Sequence, residues 1–109
     1  NDLAWILLKR AKYKEARDVL TQALSEVLRA EEIPWILNSL GVAELNLGEY
    51  KEARRSFEKA AKLAERLSPE DWRRAYPGNN PQQADSGLEA FHKAIQDNLS
   101  KLRAVDNPL

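Results

Sequence analysis

His92 is the single histidine of the chain and there is no cysteine, so thiolate nucleophiles, thiolate metal sites and disulfides are excluded together. Acid–base chemistry would have to rest on His92 and the carboxylates. No second histidine and no paired acid is placed to join His92, which reads as a surface residue flanking the apolar stripe of a helix. Glu31/Glu32 and Glu70/Asp71 are adjacent acid pairs, the residue types of cation ligation or paired-carboxylate glycoside hydrolysis. Both pairs stand at expected helix starts, where the helix dipole favours carboxylates for purely structural reasons. The four glycines are isolated, so no backbone loop is built to cradle a phosphate. The expectation is a protein that is not an enzyme and takes no cofactor and no metal.

The bulk composition narrows the alternatives further. The chain has 109 residues, the size of one domain, with 17 basic and 17 acidic residues and zero net charge. A nucleic-acid footprint needs an unbalanced basic surface, so no nucleic-acid partner is expected. No apolar run approaches the roughly 20 residues of a membrane span, and no basic-then-apolar leader precedes a cleavage site. The lack of cysteine fits a reducing compartment, and a cytoplasmic location is expected on that weak ground. The chain has no Met, which suggests a piece of a longer protein.

The apolar residues fall in helical rhythm nearly throughout. Residues 2–10 are a short, very apolar helix, too apolar for one exposed to water on most sides. From 13 to about 30, Ala16, Val19, Leu20, Ala23, Leu24, Val27 and Leu28 recur at steps of three and four. Only Ala11 and Lys12 separate these two helices, which must fold back as an antiparallel hairpin. Pro34 suits the first turn of a third helix running to about Leu47, because its missing N–H would be unpaired there anyway. Gly41 inside that helix costs on the order of 1 kcal/mol relative to Ala and predicts close approach by another helix. Gly48 is read as a left-handed C-terminal cap. A fourth helix spans 50–67, with Ala53, Phe57, Ala60, Ala64 and Leu67 on its stripe. Ser68, Pro69, Glu70 and Asp71 form a strong start for a fifth, stopped after about two turns by Pro77-Gly78. YPGNNPQQADSG at 76–87 has loop composition. It either closes the array as part of a degenerate unit or extends over a binding face. A last amphipathic helix carries Leu88, Phe91, Ile95, Leu99 and Leu102. Its start is either Asn80-Pro81 or Ser86, and Ser86 is favoured because it sets Ala90 in register with Ala53.

Register matters because the chain repeats. YKEAR stands at 13–17 and again at 50–54, an offset of 37 residues at which Ala11 becomes Gly48, Leu20 becomes Phe57 and Ala23 becomes Ala60. Trp35 and Trp72 have the same separation. One supersecondary unit used more than once is the mark of a solenoid, each hairpin burying its open face on the next. The set Leu40-Gly41, Gly48, Tyr50, Ala53, Phe57 and Ala60 resembles the tetratricopeptide repeat (TPR) family, although the offset exceeds that family's usual period of about 34. The first copy matches with Ala4, Tyr13, Ala16, Leu20 and Ala23. The third keeps only Gly78 and Glu89-Ala90.

The resemblance implies an all-α fold, a right-handed superhelix of antiparallel helix hairpins. Its units would be about 1–33 and 34–68, with a degenerate third at about 69–105, in a single domain. It implies a non-enzymatic scaffold whose first helices line a concave groove for a peptide or helix of another protein. The groove positions of the family fall on Trp5, Lys9, Asn38, Val42, Asn46, Trp72 and Tyr76. Asparagine amides there would hold a peptide backbone and tryptophan would anchor it, unless the tryptophans are packing residues between hairpins. The lysine–asparagine–arginine clamp for a terminal carboxylate is not matched, since Val42 stands where Asn is expected. A rival reading is self-assembly into a homo-oligomer through the apolar first helix, with Trp5, Ile6, Leu7 and Leu8. Helix-pair RNA-binding repeats of similar length are disfavoured by the zero net charge.

Overall fold

The repeat is visible first in how two hairpins turn. In the computed structural model, which describes residues 2–26, 30–75 and 81–106, α1 (Asp2–Lys9) and α2 (Tyr13–Glu26) meet at Ala11. Ala11 has a left-handed φ of 58°, with Lys12 N–H donating to the Leu7 carbonyl at 2.9 Å and Ala11 N–H to Leu8 at 3.1 Å. α3 (Ile33–Asn46) and α4 (Tyr50–Ala64) meet in the same way at Gly48, whose φ is 79°. There Glu49 N–H donates to Glu44 at 2.9 Å and Gly48 N–H to Leu45 at 3.1 Å. These paired bonds satisfy the last carbonyls of each first helix and reverse the chain. A short 3-10 turn, Ala30–Glu32, precedes α3 and holds the acid pair Glu31/Glu32. The two remaining helices are α5 (Pro69–Ala75) and α6 (Pro81–Asp106). The described residues form helices packed on helices, the all-α, TPR-like repeat architecture.

Side-chain size explains the stacking. α2 buries Ala16 and Leu20 between α1 and α3, where they meet Ala4, Ile36, Leu40 and Ala43. α4 buries Ala53, Phe57, Ala60 and Ala64, the repeat equivalents, in a second core with Leu37 of α3, Trp72 of α5 and Phe91, Ile95, Leu99 and Leu102 of α6. Leu24 of α2 packs against both cores. The alanines bring backbones together while Leu20 and Phe57 fill the space between. Gly41 lies under the Phe57 ring, and a Cβ placed there would stand 2.5 Å from Cε1. This is the close approach that its position inside a helix predicted.

Within YKEAR the alanine is fully buried in both copies, the tyrosine half-buried, and the lysine and glutamate exposed. Arg17 is half-buried. Its guanidinium forms an ion pair with Glu49, in the turn of the following hairpin, and so ties one repeat to the next.

The third unit departs from the expected pattern. Ser68 caps α5 as read from sequence: Asp71 N–H donates to Ser68 Oγ at 3.1 Å and Ser68 N–H to Asp71 Oδ2 at 3.2 Å. This is a reciprocal capping box. α6, however, starts at Pro81 and not at Ser86, so 81–87 is helix and the expected 76–87 loop is correspondingly shorter. Pro81 has the φ a first helical turn needs, and Gln82, Gln83 and Ala84 continue the helix well enough to carry it through Ser86-Gly87. The register with α4 fails too. Ala90 is exposed where Ala53 is buried, and the buried stripe of α6 runs through Phe91, Ile95, Leu99 and Leu102. α6 packs chiefly along α4 and also touches α3, much as α3 packs along α2 and touches α1. It therefore occupies the place of a next first helix, while α5 packs on the 3-10 turn and on α6.

Candidate functional site

The face on which the groove residues were expected is built from α1, α3 and α6. Trp5 and Lys9 are one helical turn apart on α1, and the Lys9 ammonium sits 4.2 Å above the Trp5 ring centroid. Trp5 is nonetheless 56% exposed. A cation over an indole face at an exposed site is worth about 0.5–1 kcal/mol, enough to orient the ring while leaving its edge open. On α3, one offset of 37 residues later, Val42 and Asn46 hold the equivalent places. Val42 is half-buried against the second core, and Asn46 is exposed with its Nδ2 donating to the Val42 carbonyl at 2.8 Å.

Asn38, a turn earlier on α3, is engaged across helices. Asn98 Nδ2 of α6 donates to Asn38 Oδ1 at 3.1 Å, and both residues are half-buried. A side-chain amide has two donors and an acceptor, so after one mutual bond each asparagine keeps both kinds of group for a ligand. Asn98 was missed in the sequence because α6 was read in the register of a second helix. With α6 placed like a first helix, Asn98 comes to the same face as Asn38.

The tryptophans divide between two roles. Trp72 is 3% exposed and stacks on Phe91 at 5.1 Å between centroids with 22° between planes. It is a core residue, the packing alternative, and it does not line the face. Trp35 covers this pair, 6.5 Å from Trp72 and 5.8 Å from Phe91, and remains 37% exposed. Tilted aromatic pairs at these separations add about 0.5–1.5 kcal/mol beyond the area they bury. Tyr76 lies outside the described residues. The residues brought to one side are thus Trp5 and Lys9, then Asn38, Val42 and Asn46, with Trp35 and Asn98 added by the structure.

On this face Lys9 brings a cation from α1, while α3 adds no exposed charge. α3 carries one charged side chain, Glu44, and it is turned inward, 8% exposed, with Ser56 Oγ donating to its Oε1 at 2.6 Å. Burial pushes the Glu44 carboxyl up from the ordinary 4.5; the Ser56 hydrogen bond opposes this, Glu49 and Glu52 add to it, and Arg17 opposes it. His92 is half-buried on α6. Among the described residues no three His, Asp or Glu side chains gather as a metal-ligand set, and no helix is long and apolar enough to cross a membrane.

Comparison with known proteins agrees with the geometry where it speaks. No curated protein and no solved structure matches the chain significantly. One family model, described as tetratricopeptide repeat, matches residues 34–67, the α3–α4 hairpin with its Gly41–Phe57 contact and its Gly48 turn. Repeats of this family serve generally as non-enzymatic modules of protein–protein interaction. Residues 34–67 of this all-α chain are therefore similar to a tetratricopeptide repeat, set among helices that extend their packing on both sides.

Proposed function

We propose that the chain is a scaffold binding a segment of a partner protein along the face shared by α1, α3 and α6, with no covalent step. The observation that carries this reading is the Asn38–Asn98 pair, a half-buried amide bridge between two helices that keeps donors and acceptors for a passing peptide group. Trp5, held by Lys9, and Trp35, seated on the Trp72–Phe91 stack, supply apolar anchors on either side, and Val42 and Asn46 line the stretch between. Because α3 presents no exposed charge here, the segment would be read along α3 through its backbone and apolar side chains, with Lys9 the charge at the α1 end. The repeat division 1–33 and 34–68 belongs to the same reading, with α5 and α6 as a degenerate third unit that closes the face.

A pull-down or peptide-array screen identifies a ligand, and Asn38→Ala, Asn46→Ala and Asn98→Ala then test the site. Loss of Asn38 or Asn98 is expected to weaken binding about tenfold, the equivalent of about 1–1.5 kcal/mol for one hydrogen bond. The helical circular dichroism should be unchanged. Affinity for a genuine partner that survives all three substitutions would remove this face from the account.

A further inference from the structure

α4 turns a row of cations outward. Lys51, Arg55, Lys59 and Lys62 follow one another at steps of four, four and three, so they share one side of the helix, and all are exposed. Arg66 continues the row in the turn that closes α4. Among the described residues none of these cations is paired with a carboxylate, although Glu52 and Glu58 stand on the same helix. The fold does not require the row: at the repeat offset of 37 residues its counterparts on α2 are Lys14, Asp18, Gln22 and Ser25. Bulk composition does not require it either, since the whole chain carries no net charge. The row lies opposite Ala53, Phe57, Ala60 and Ala64, the side of α4 buried against α3 and α6. It is therefore not a surface on which a neighbouring hairpin stacks.

Beside the row, where α4 meets α6, is a cleft of about 330 Å³ lined by Arg54, Glu58, Leu99, Leu102 and Arg103. The buried Leu99 and Leu102 give it an apolar floor. Arg54 is three residues from Lys51 and Glu58 three from Arg55, so row and cleft adjoin on the helix surface. Four residues of helix rise about 6 Å, and two residues of extended chain about 6.6 Å. A strand laid along α4 therefore sets alternate side chains near successive cations and turns the intervening ones toward the cleft. Carboxylates in the first set complement the row, and an apolar side chain in the second meets the leucine floor. Other anionic partners fit less well. Single-stranded nucleic acid needs aromatic faces on which to stack its bases, and both aromatics of α4, Tyr50 and Phe57, pack in the second core. A bilayer surface is held by inserted apolar side chains as well as charge, and the row has none.

We propose that the outer row of α4 and the cleft beside it dock an extended acidic segment of a protein partner, with carboxylates at alternate residues and an apolar residue between them. This second surface goes beyond the face shared by α1, α3 and α6 and does not depend on it. The probe is a fluorescent heptapeptide, Glu-Ser-Glu-Leu-Glu-Ser-Glu, followed by anisotropy at about 0.1 M salt, where exposed charges are screened beyond about 10 Å. Saturable binding is expected. R55E/K59E should weaken it about tenfold with helical circular dichroism unchanged, whereas Lys14→Glu on α2 and Asn38→Ala on the other face should leave it intact. A peptide with Ser in place of Leu should bind more weakly, and so should Glu-Glu-Glu-Glu-Leu-Ser-Ser, which has the same composition without the alternation. No binding, or binding that survives R55E/K59E, would overturn the proposal. Equal affinity for either altered peptide would do the same, since the row would then attract charge without reading a pattern. Tighter binding of a single-stranded RNA or of phosphatidylserine vesicles, lost in R55E/K59E, would also overturn it and assign the row to that partner.

Discussion

Gly41→Ala is the sharpest test of how the two helices of residues 34–67 are fitted. A methyl at position 41 would stand 2.5, 2.6 and 2.9 Å from Cε1, Cδ1 and Cζ of Phe57. Favourable carbon contacts are made at about 3.5–4.0 Å. The ring has no exposed surface and is enclosed by Ala53, Ala60 and the α6 stripe, so it cannot swing out. Two effects oppose each other. Alanine gains about 1 kcal/mol in intrinsic helix propensity over glycine. Overpacking a filled core costs about 1–3 kcal/mol, and contacts this short belong at the upper end. The expected net loss is about 1–2 kcal/mol, read as a lower urea midpoint by circular dichroism, with a fall in Tm of about 4–8 °C per kcal/mol. In a double-mutant cycle with Phe57→Leu the two changes should couple by about 1 kcal/mol, because a smaller side chain relieves the clash. If Gly41→Ala were neutral or stabilising, propensity would have won and the close approach would be refuted.

Ala11 takes a left-handed conformation that costs an L-residue about 1–2 kcal/mol, where its counterpart is Gly48. Allowing about 0.5–1 kcal/mol for the greater freedom of unfolded glycine, Ala11→Gly should stabilise by about 0.5–1 kcal/mol, seen as a raised urea midpoint. Ser68→Ala should cost about 1 kcal/mol by removing the cap of α5, and hydrogen exchange should accelerate there before the rest of the chain. Burial raises the Glu44 pKa above 4.5. Below pH 4.5 the carboxyl is protonated folded and unfolded alike and costs nothing; as pH rises from there through its raised value, stability falls to a plateau. Glu44→Gln keeps an acceptor for Ser56 and should abolish that fall, so urea midpoints of the two proteins should diverge as pH rises and then stay parallel.

The two hairpins were legible in sequence because several independent local signals agreed. Three-and-four periodicity set the helices, and Ala16 and Ala53 marked the stripes. Gly48 marked a turn with a left-handed residue, and its offset from Ala11 located the other. Ser68 and Asp71 capped α5 as read because a capping box is made within four residues of chain. Where such signals conflict, local reading fails: the repeat offset favoured Ser86 as the start of α6 because it set Ala90 in register with Ala53, but the helix starts at Pro81 and Ala90 is exposed.

Sequence alone thus determined that the chain is a stack of helix hairpins and that Gly41 must lie under another element. Each of these follows from forces acting within a helix or a single hairpin. Tertiary structure alone decided which helix each stripe meets. It placed Trp72 in the core and left Trp35 exposed, brought Asn98 to Asn38 across 60 residues of chain, and turned Glu44 inward to Ser56. The physical reason is that hydrophobic burial is not directional. A stripe says that a face must be covered, and only the assembled neighbours say by what.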